Sequence, residues 1–168
     1  MRCLFLDFDG VLHPVDAVAD WREFGVNGSN IEHYARERDL FRWLPELATA
    51  LHEHPDVVIA VHSGWRSLAS NTQIRSLLGD LAERFIGVTS LTLRRHDGIQ
   101  EMAARAEVTH MLIVDDATHE FPIDCEELLL THPLRGLAEP EMLQRLTAWL
   151  ESTSPDRTPR GLPRQAAR

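Results

Sequence analysis

Two pairs of aspartates stand at the carboxyl ends of short apolar runs: Asp7 with Asp9 after Leu4–Leu6, and Asp115 with Asp116 after Leu112–Val114. A carboxylate at the end of a buried strand is costly to keep charged unless a partner meets it. A divalent cation is such a partner. Mg²⁺ in particular takes one or two carboxylates, water and a substrate phosphate. Gly10 directly after Asp9 lets the chain turn sharply and brings backbone groups close to a ligand. Taken alone, Asp7-x-Asp9-Gly10 also fits a surface turn with two solvated acids. A calcium loop fits worse, because its twelfth position needs a Glu, and counted from Asp7 that position is Val18.

The elements that must position these acids are legible in the hydrophobic pattern. Leu4–Leu6 reads as a strand buried on both faces. Residues 13–39 read as irregular, with turns at Gly25 and at Gly28-Ser29-Asn30. Leu40, Trp43, Leu44, Leu47, Ala48 and Leu51 recur at helical spacing and predict a helix over 40–53, with Pro45 tolerated only near its first turn. A second strand is expected over 57–61, a helix over 67–78 ending near Gly79, and a third strand over 85–88. A helix over 97–106, strands over 110–114 and 128–130, and a last helix over 139–150 complete the body. Strands alternating with helices imply a parallel sheet with right-handed crossovers. In such sheets ligands sit beyond the carboxyl ends of the strands. The polar clusters 7–13, 62–66 and 115–120 each follow a strand and should therefore meet.

The chain has 168 residues, 43 % apolar and 26 % charged, which is one ordinary globular domain with a core of its own. No apolar run approaches the roughly 20 residues of a membrane span, and Asp7 and Asp9 interrupt the apolar start, against a signal peptide. Cys3 and Cys125 make neither a disulfide framework nor a Cys-rich zinc site, and suit a reducing cytoplasm. The net charge is −9, made of −11 over residues 1–150 and +2 over 151–168. An acidic body argues against non-specific nucleic-acid binding, so nucleic acid enters only as a substrate. All 17 strongly basic residues are Arg, so a role that elsewhere falls to Lys must fall here to Arg. The stretch 152–168, rich in Arg, Pro, Ser and Thr, reads as a disordered tail.

Asp7-x-Asp9-Gly10-Val11-Leu12 after an apolar strand resembles the first motif of the haloacid dehalogenase (HAD) phosphohydrolase superfamily. The resemblance implies a nucleophile at Asp7 and a general acid/base at Asp9, whose backbone carbonyl, together with the Asp7 carboxylate, meets the metal. It implies a second motif at Ser63, whose hydroxyl and the neighbouring backbone at Gly64 hold a phosphoryl oxygen. Read by itself, Ser63 is more readily an N-cap or turn serine. The third motif needs a Lys or Arg ahead of the fourth. Arg94 and Arg95 are the candidates, and Arg95 is preferred because it lies four residues before the first buried position of its helix, Ile99. The alternative is a solvated arginine pair. Arg66 is a second phosphate clamp, with Gly10 and Arg94 beside the phosphate. Asp116 is implied as the direct metal ligand, with Asp115 in support.

Within that superfamily the chain is most similar to the HAD domains associated with Swiss Army Knife RNA-repair proteins. The residues that carry this are Asp7 to Pro14, Ser63 to Arg66, Val114 to Asp116 and Thr131 to Leu137. The fold so implied is α/β, a HAD-like Rossmannoid three-layer sandwich with a mostly parallel five-stranded sheet and a minimal cap. It divides into a catalytic domain over 1–151, with 13–39 as a loop or small cap, and the tail over 152–168. Arg in place of the commoner Lys, and no large cap, are its departures.

The activity implied is a Mg²⁺-dependent phosphatase working through an aspartyl-phosphate on a nucleotide, a nucleic-acid end or another phosphomonoester, in the cytoplasm and without a membrane partner. The alternative is a catalytically silent HAD-fold module that binds phosphate or a partner. A phosphoacceptor signalling domain would need a late Lys, and the chain has none. His13 and His119 flank the acid pairs, though loop histidines are more often solvated. Trp65 reads first as core and second as a stacking surface. His52 and His54 do not share a helix face and make no zinc site.

Overall fold

The computed structural model describes residues 1–155. Strands β1 (Arg2–Leu6), β2 (Val57–Val61), β3 (Phe85–Val88), β4 (His110–Asp115) and β5 (Leu128–Leu130) form one sheet in the order β3-β2-β1-β4-β5. Every pairing is parallel. Helices α1 (Ile31–Glu37), α2 (Leu44–Leu51), α3 (Asn71–Leu77), α4 (Arg95–Arg105) and α5 (Pro140–Ser152) cover it. This is a Rossmannoid, HAD-like three-layer sandwich.

The two-residue period of the strands sorts the core into two layers. Leu4 and Leu6, Val57, Ile59 and Val61, and Leu112 and Val114 face the larger one, packed by Leu47 and Leu51 of α2, Ile74 of α3 and Leu146 and Leu150 of α5. Cys3 and Phe5, Ala60 and Ile113 face the smaller one, packed by Ile99, Met102 and Ala103 of α4. Register then fixes what lies at the carboxyl edge. Leu6 pairs with Val61 on one side and Val114 on the other, so the next residues, Asp7, His62 and Asp115, come level. All three continue the face on which α4 lies.

Several elements depart from the sequence expectation. The segment 13–39 carries helix α1, which buries Ile31, Tyr34 and Ala35, and a 3-10 turn at Val15–Val18. The expected helix over 40–53 begins only at Leu44, because Asp39 (φ 50°) and Phe41 (φ 62°) hold left-handed backbone that no right-handed helix admits. Pro45 lies in its first turn. The helix expected from 67 begins at Asn71, where Ser70 and Gln73 form a reciprocal capping box. Residues Gly64–Ser67 form a 3-10 turn instead. The tail expected over 152–168 lies, from 156 on, outside the described residues, and α5 runs through Ser152. No helix among the described residues is long and apolar enough to cross a membrane.

Candidate active site

Asp7 follows β1 directly and is buried. Its Oδ1 accepts the Phe8 N–H at 2.8 Å and its Oδ2 accepts Arg95 Nη1 at 2.9 Å. The same Arg95 nitrogen donates to Asp115 Oδ2 at 2.6 Å. Arg95 is the first residue of α4, and the strand alternation turns Asp7 and Asp115 toward that helix. His62 Nε2 donates to Asp115 Oδ2 at 2.8 Å, and Ala117 N–H to Asp115 Oδ1 at 2.8 Å. His62 is fully buried, and its Nδ1 has no partner among the described residues.

Asp116 completes the group: one carboxylate oxygen each from Asp7, Asp115 and Asp116 lie within 4.8 Å of one another. Three acids so close disfavour each other's charge. Burial, then the charge of Asp115, raise the Asp7 carboxyl above its usual value against the pull of His62 and Arg95. Burial, then Asp7 and Asp115, push Asp116 up to about 6. Burial works on Asp115 too, but the His62 hydrogen bond and the charges of His62 and Arg95 overcome it and hold this carboxyl low. Burial disfavours the Arg95 charge, yet Asp7 and Asp115 more than restore it. An all-oxygen donor set in which two acids are held above their normal range suits a hard divalent cation. Asp115 takes three protein donors, two of them on one oxygen, against one on each oxygen of Asp7, which leaves Asp7 the less crowded ligand of the two.

Asp9 stands apart from this cluster. The strand has ended, and Asp9 pairs its backbone with His13 in an isolated bridge. Its Oδ1 meets His13 Nε2 at 2.9 Å and the Trp65 indole N–H at 2.8 Å. Gly10 next to it has φ +70°, and a Cβ there would overlap the Asp116 carboxylate, so the two acid pairs approach through the missing side chain. The Thr131 hydroxyl after β5 donates to the Gly10 carbonyl at 2.8 Å and ties the turn down.

Ser63 is buried just beyond β2, and its Oγ accepts the Trp65 N–H at 3.4 Å, a weak cap on the 3-10 turn. Gly64 is exposed, with open space where a side chain would be. Arg66 folds back, Nη1 donating to the Ser63 carbonyl at 2.6 Å and to that of His62. Its Nε is buried without a partner among the described residues. Burial, then the Arg95 charge, lower the Arg66 pKa, against the pull of Asp7. Arg94 is exposed at the N-cap of α4 and makes no contact with the acids. His119 is exposed as well, whereas His13 is fully buried against Asp9.

Sequence reasoning passed over His62. The signal was present in the alternation Val58, Ala60, His62, which carries the histidine onto the face of Asp7.

Comparison with protein families adds one finding: residues 3–142 match the family described as the HAD domain in Swiss Army Knife RNA repair proteins. No curated protein and no solved structure matches the chain.

Proposed function

Since the chain belongs to the HAD domain family of Swiss Army Knife RNA repair proteins, and its acidic cluster is a HAD-type phosphohydrolase site, we propose that it is a Mg²⁺-dependent phosphatase that works through an aspartyl-phosphate. The observation that carries this reading is the single Arg95 nitrogen shared by Asp7 and Asp115 inside a three-acid cluster. A buried carboxylate held in place by one backbone N–H and one charged partner is oriented to attack phosphorus.

In this reading an Asp7 oxygen attacks phosphorus in line, and the bond to the leaving oxygen breaks as Asp9 gives that oxygen its proton. Water then attacks the aspartyl-phosphate, Asp9 takes the water's proton, and inorganic phosphate leaves. Arg95 offsets charge between nucleophile and phosphoryl group. The Ser63 hydroxyl and the backbone at Gly10 and Gly64 hold phosphoryl oxygens, with Arg66 close by and Arg94 at the rim. Asp7, Asp116 and the Asp9 carbonyl would hold Mg²⁺, with Asp115 in support, and the ion would supply charge neutralisation at the phosphoryl oxygens.

The substrate is a phosphomonoester, and we favour a nucleotide or a nucleic-acid end. The catalytic domain is 1–151, with 13–39 as a small cap. A cap with a single short α-helix would leave the site open to a bulky substrate. A reducing, cytoplasmic setting is supported by the two free cysteines, Cys3 and Cys125.

The test is phosphate release from an aryl phosphate with Mg²⁺ and with chelator, for wild type and Asp7→Asn. Metal-dependent turnover abolished in Asp7→Asn is the expected result. A panel of mononucleotides, sugar phosphates and phosphorylated RNA and DNA ends then names the substrate. No turnover, together with no binding of Mg²⁺ and a phosphate-mimicking fluoride complex, would replace this reading with the silent module.

A further inference from the structure

We infer that His13 and Trp65 are positioning residues that clamp Asp9 by one oxygen, Oδ1, and thereby assign Oδ2 as the oxygen that exchanges the proton with the leaving group and with water. The inference rests on the phosphatase reading above and goes beyond it. A general acid must hold its proton within reach of the leaving oxygen, and a carboxyl free to rotate offers either oxygen at any angle. Asp9 has lost that freedom. Its Oδ1 receives the Trp65 indole N–H at 2.8 Å and His13 Nε2 at 2.9 Å, while Oδ2 takes no hydrogen bond among the described residues.

The His13 ring has its direction of donation fixed from behind. The Phe41 backbone N–H points at His13 Nδ1 at 3.4 Å. An N–H facing Nδ1 requires a lone pair there, so the ring proton sits on Nε2 and is donated to Asp9. Phe41 makes this contact from a φ of 62°. A bulky residue in left-handed backbone costs about 1–3 kcal/mol and persists only where its surroundings impose it. Those surroundings are an aromatic box: Phe41 meets Phe8 at 4.9 Å, Trp65 at 5.2 Å and His13 at 5.2 Å, all edge to face. His13 is 0 % exposed and Trp65 1 %, whereas the Asp9 side chain is 26 % exposed. Two rigid, buried donors thus grip the inner oxygen, and the outer edge of the carboxyl is left toward solvent.

The donors come from different parts of the chain, His13 from the turn after β1 and Trp65 from the 3-10 turn after β2. They converge on one atom although neither hydrogen-bonds an acid of the three-acid cluster. Packing alone would bury both rings without aiming both N–H groups at Asp9.

The test separates positioning from mere support of the fold. Trp65→Phe keeps a ring in the box and removes only the N–H. His13→Leu removes the other donor, and His13→Gln returns one. The readout is kcat/KM, which covers formation of the aspartyl-phosphate, for an alkyl phosphate and for p-nitrophenyl phosphate. Departure of an alkoxide needs the proton, and departure of nitrophenolate does not. The expected result is a loss of about 10²-fold on the alkyl ester in Trp65→Phe and His13→Leu, the usual worth of general-acid catalysis. On the nitrophenyl ester the change stays within about threefold, and His13→Gln recovers part of the loss. Equal losses on both esters, or none on either, overturn the inference while leaving the phosphatase reading intact. No turnover of either ester by wild type overturns the phosphatase reading, and this role with it. Independently of turnover, nitrogen-15 shifts of the His13 ring in the full chain should report the Nε2–H tautomer, and an Nδ1–H ring overturns the clamp.

Discussion

Asp7 and Asp116 hold protons more tightly than ordinary aspartates, and the consequences differ for the folded state and for the metal. A carboxyl whose folded pKa is raised stabilises the fold fully below its unfolded value of 3.8 and loses that contribution as pH rises through its folded value. For Asp116 the loss is complete above about 6. Without metal, Asp116→Asn should therefore be more stable than wild type at pH 8, by on the order of 1 kcal/mol after solvent screening, and the gap should close toward pH 4. Urea melts across that range, in the presence of chelator, check it. On the proposed reading, Mg²⁺ would have to displace the same proton, so its affinity should climb as pH rises through about 6, measurable by calorimetry in buffers of different ionisation heat. Arg95 makes a third prediction. One nitrogen serves both acids, so it acts as a point charge rather than a fork. Arg95→Lys should keep kcat/KM within about tenfold, while Arg95→Gln should lose about 10²–10³-fold, as removal of charge stabilisation does elsewhere.

The turn from β1 into Gly10 is the element on which the site depends. Gly10→Ala faces both the left-handed φ of +70° and overlap with the Asp116 carboxylate. It should cost about 2 kcal/mol or more in stability and abolish Mg²⁺ binding, read by melts and by metal titration. The other end of β1 offers the opposite case. Arg2 is buried, with Nη1 on Asp56 at 3.2 Å, Nε on Thr153 Oγ1 at 3.0 Å, Nη2 on the Leu150 carbonyl and its guanidinium 5.4 Å from the Trp149 ring. This joins the sheet to the end of α5, at the edge remote from the site. Arg2→Ala should lower stability by about 2–3 kcal/mol and leave kcat/KM at 25 °C unchanged, because it breaks hydrogen bonds to a charged group without moving the carboxyl edge.

At the scale of the molecule, Asp7, His62, Arg95 and Asp115 come from four elements and meet only in the native state. A ligand of that cluster is therefore a ligand of the fold. At a hundredfold excess over its Kd, Mg²⁺ with a phosphate-mimicking fluoride complex should add about 2.7 kcal/mol of stability, and Asp7→Asn should lose most of it, as thermal melts would report. The segment 13–39 is tied together by its own contacts. Tyr34 donates to Asp20 at 2.7 Å, Arg38 meets the same carboxylate at 2.6 Å, and the Arg38 guanidinium lies 3.9 Å from the Phe24 ring and 4.2 Å from the Tyr34 ring.

The strands, their parallel pairing and the edge at which the acids gather are written in local pattern. Apolar runs of three to five residues, each followed by a polar cluster, leave few arrangements for a buried sheet. That Arg95, four residues before Ile99, lies on the inward side of its helix and reaches the acids is also consistent with the helical spacing. The short α1 was not, because Ile31, Tyr34 and Ala35 are too few to outweigh the surrounding Asn, Gly and Asp. The left-handed turn at Phe41 was hidden for a stronger reason: no local preference favours it, and only the aromatic box around it imposes it. Register and face decided the rest. That Asp7, His62 and Asp115 lie level under Arg95, and that His13 and Trp65 close on one oxygen of Asp9, depends on contacts across strands. No spacing along the chain encodes those contacts, since they exist only once the sheet has paired and the core has closed around it.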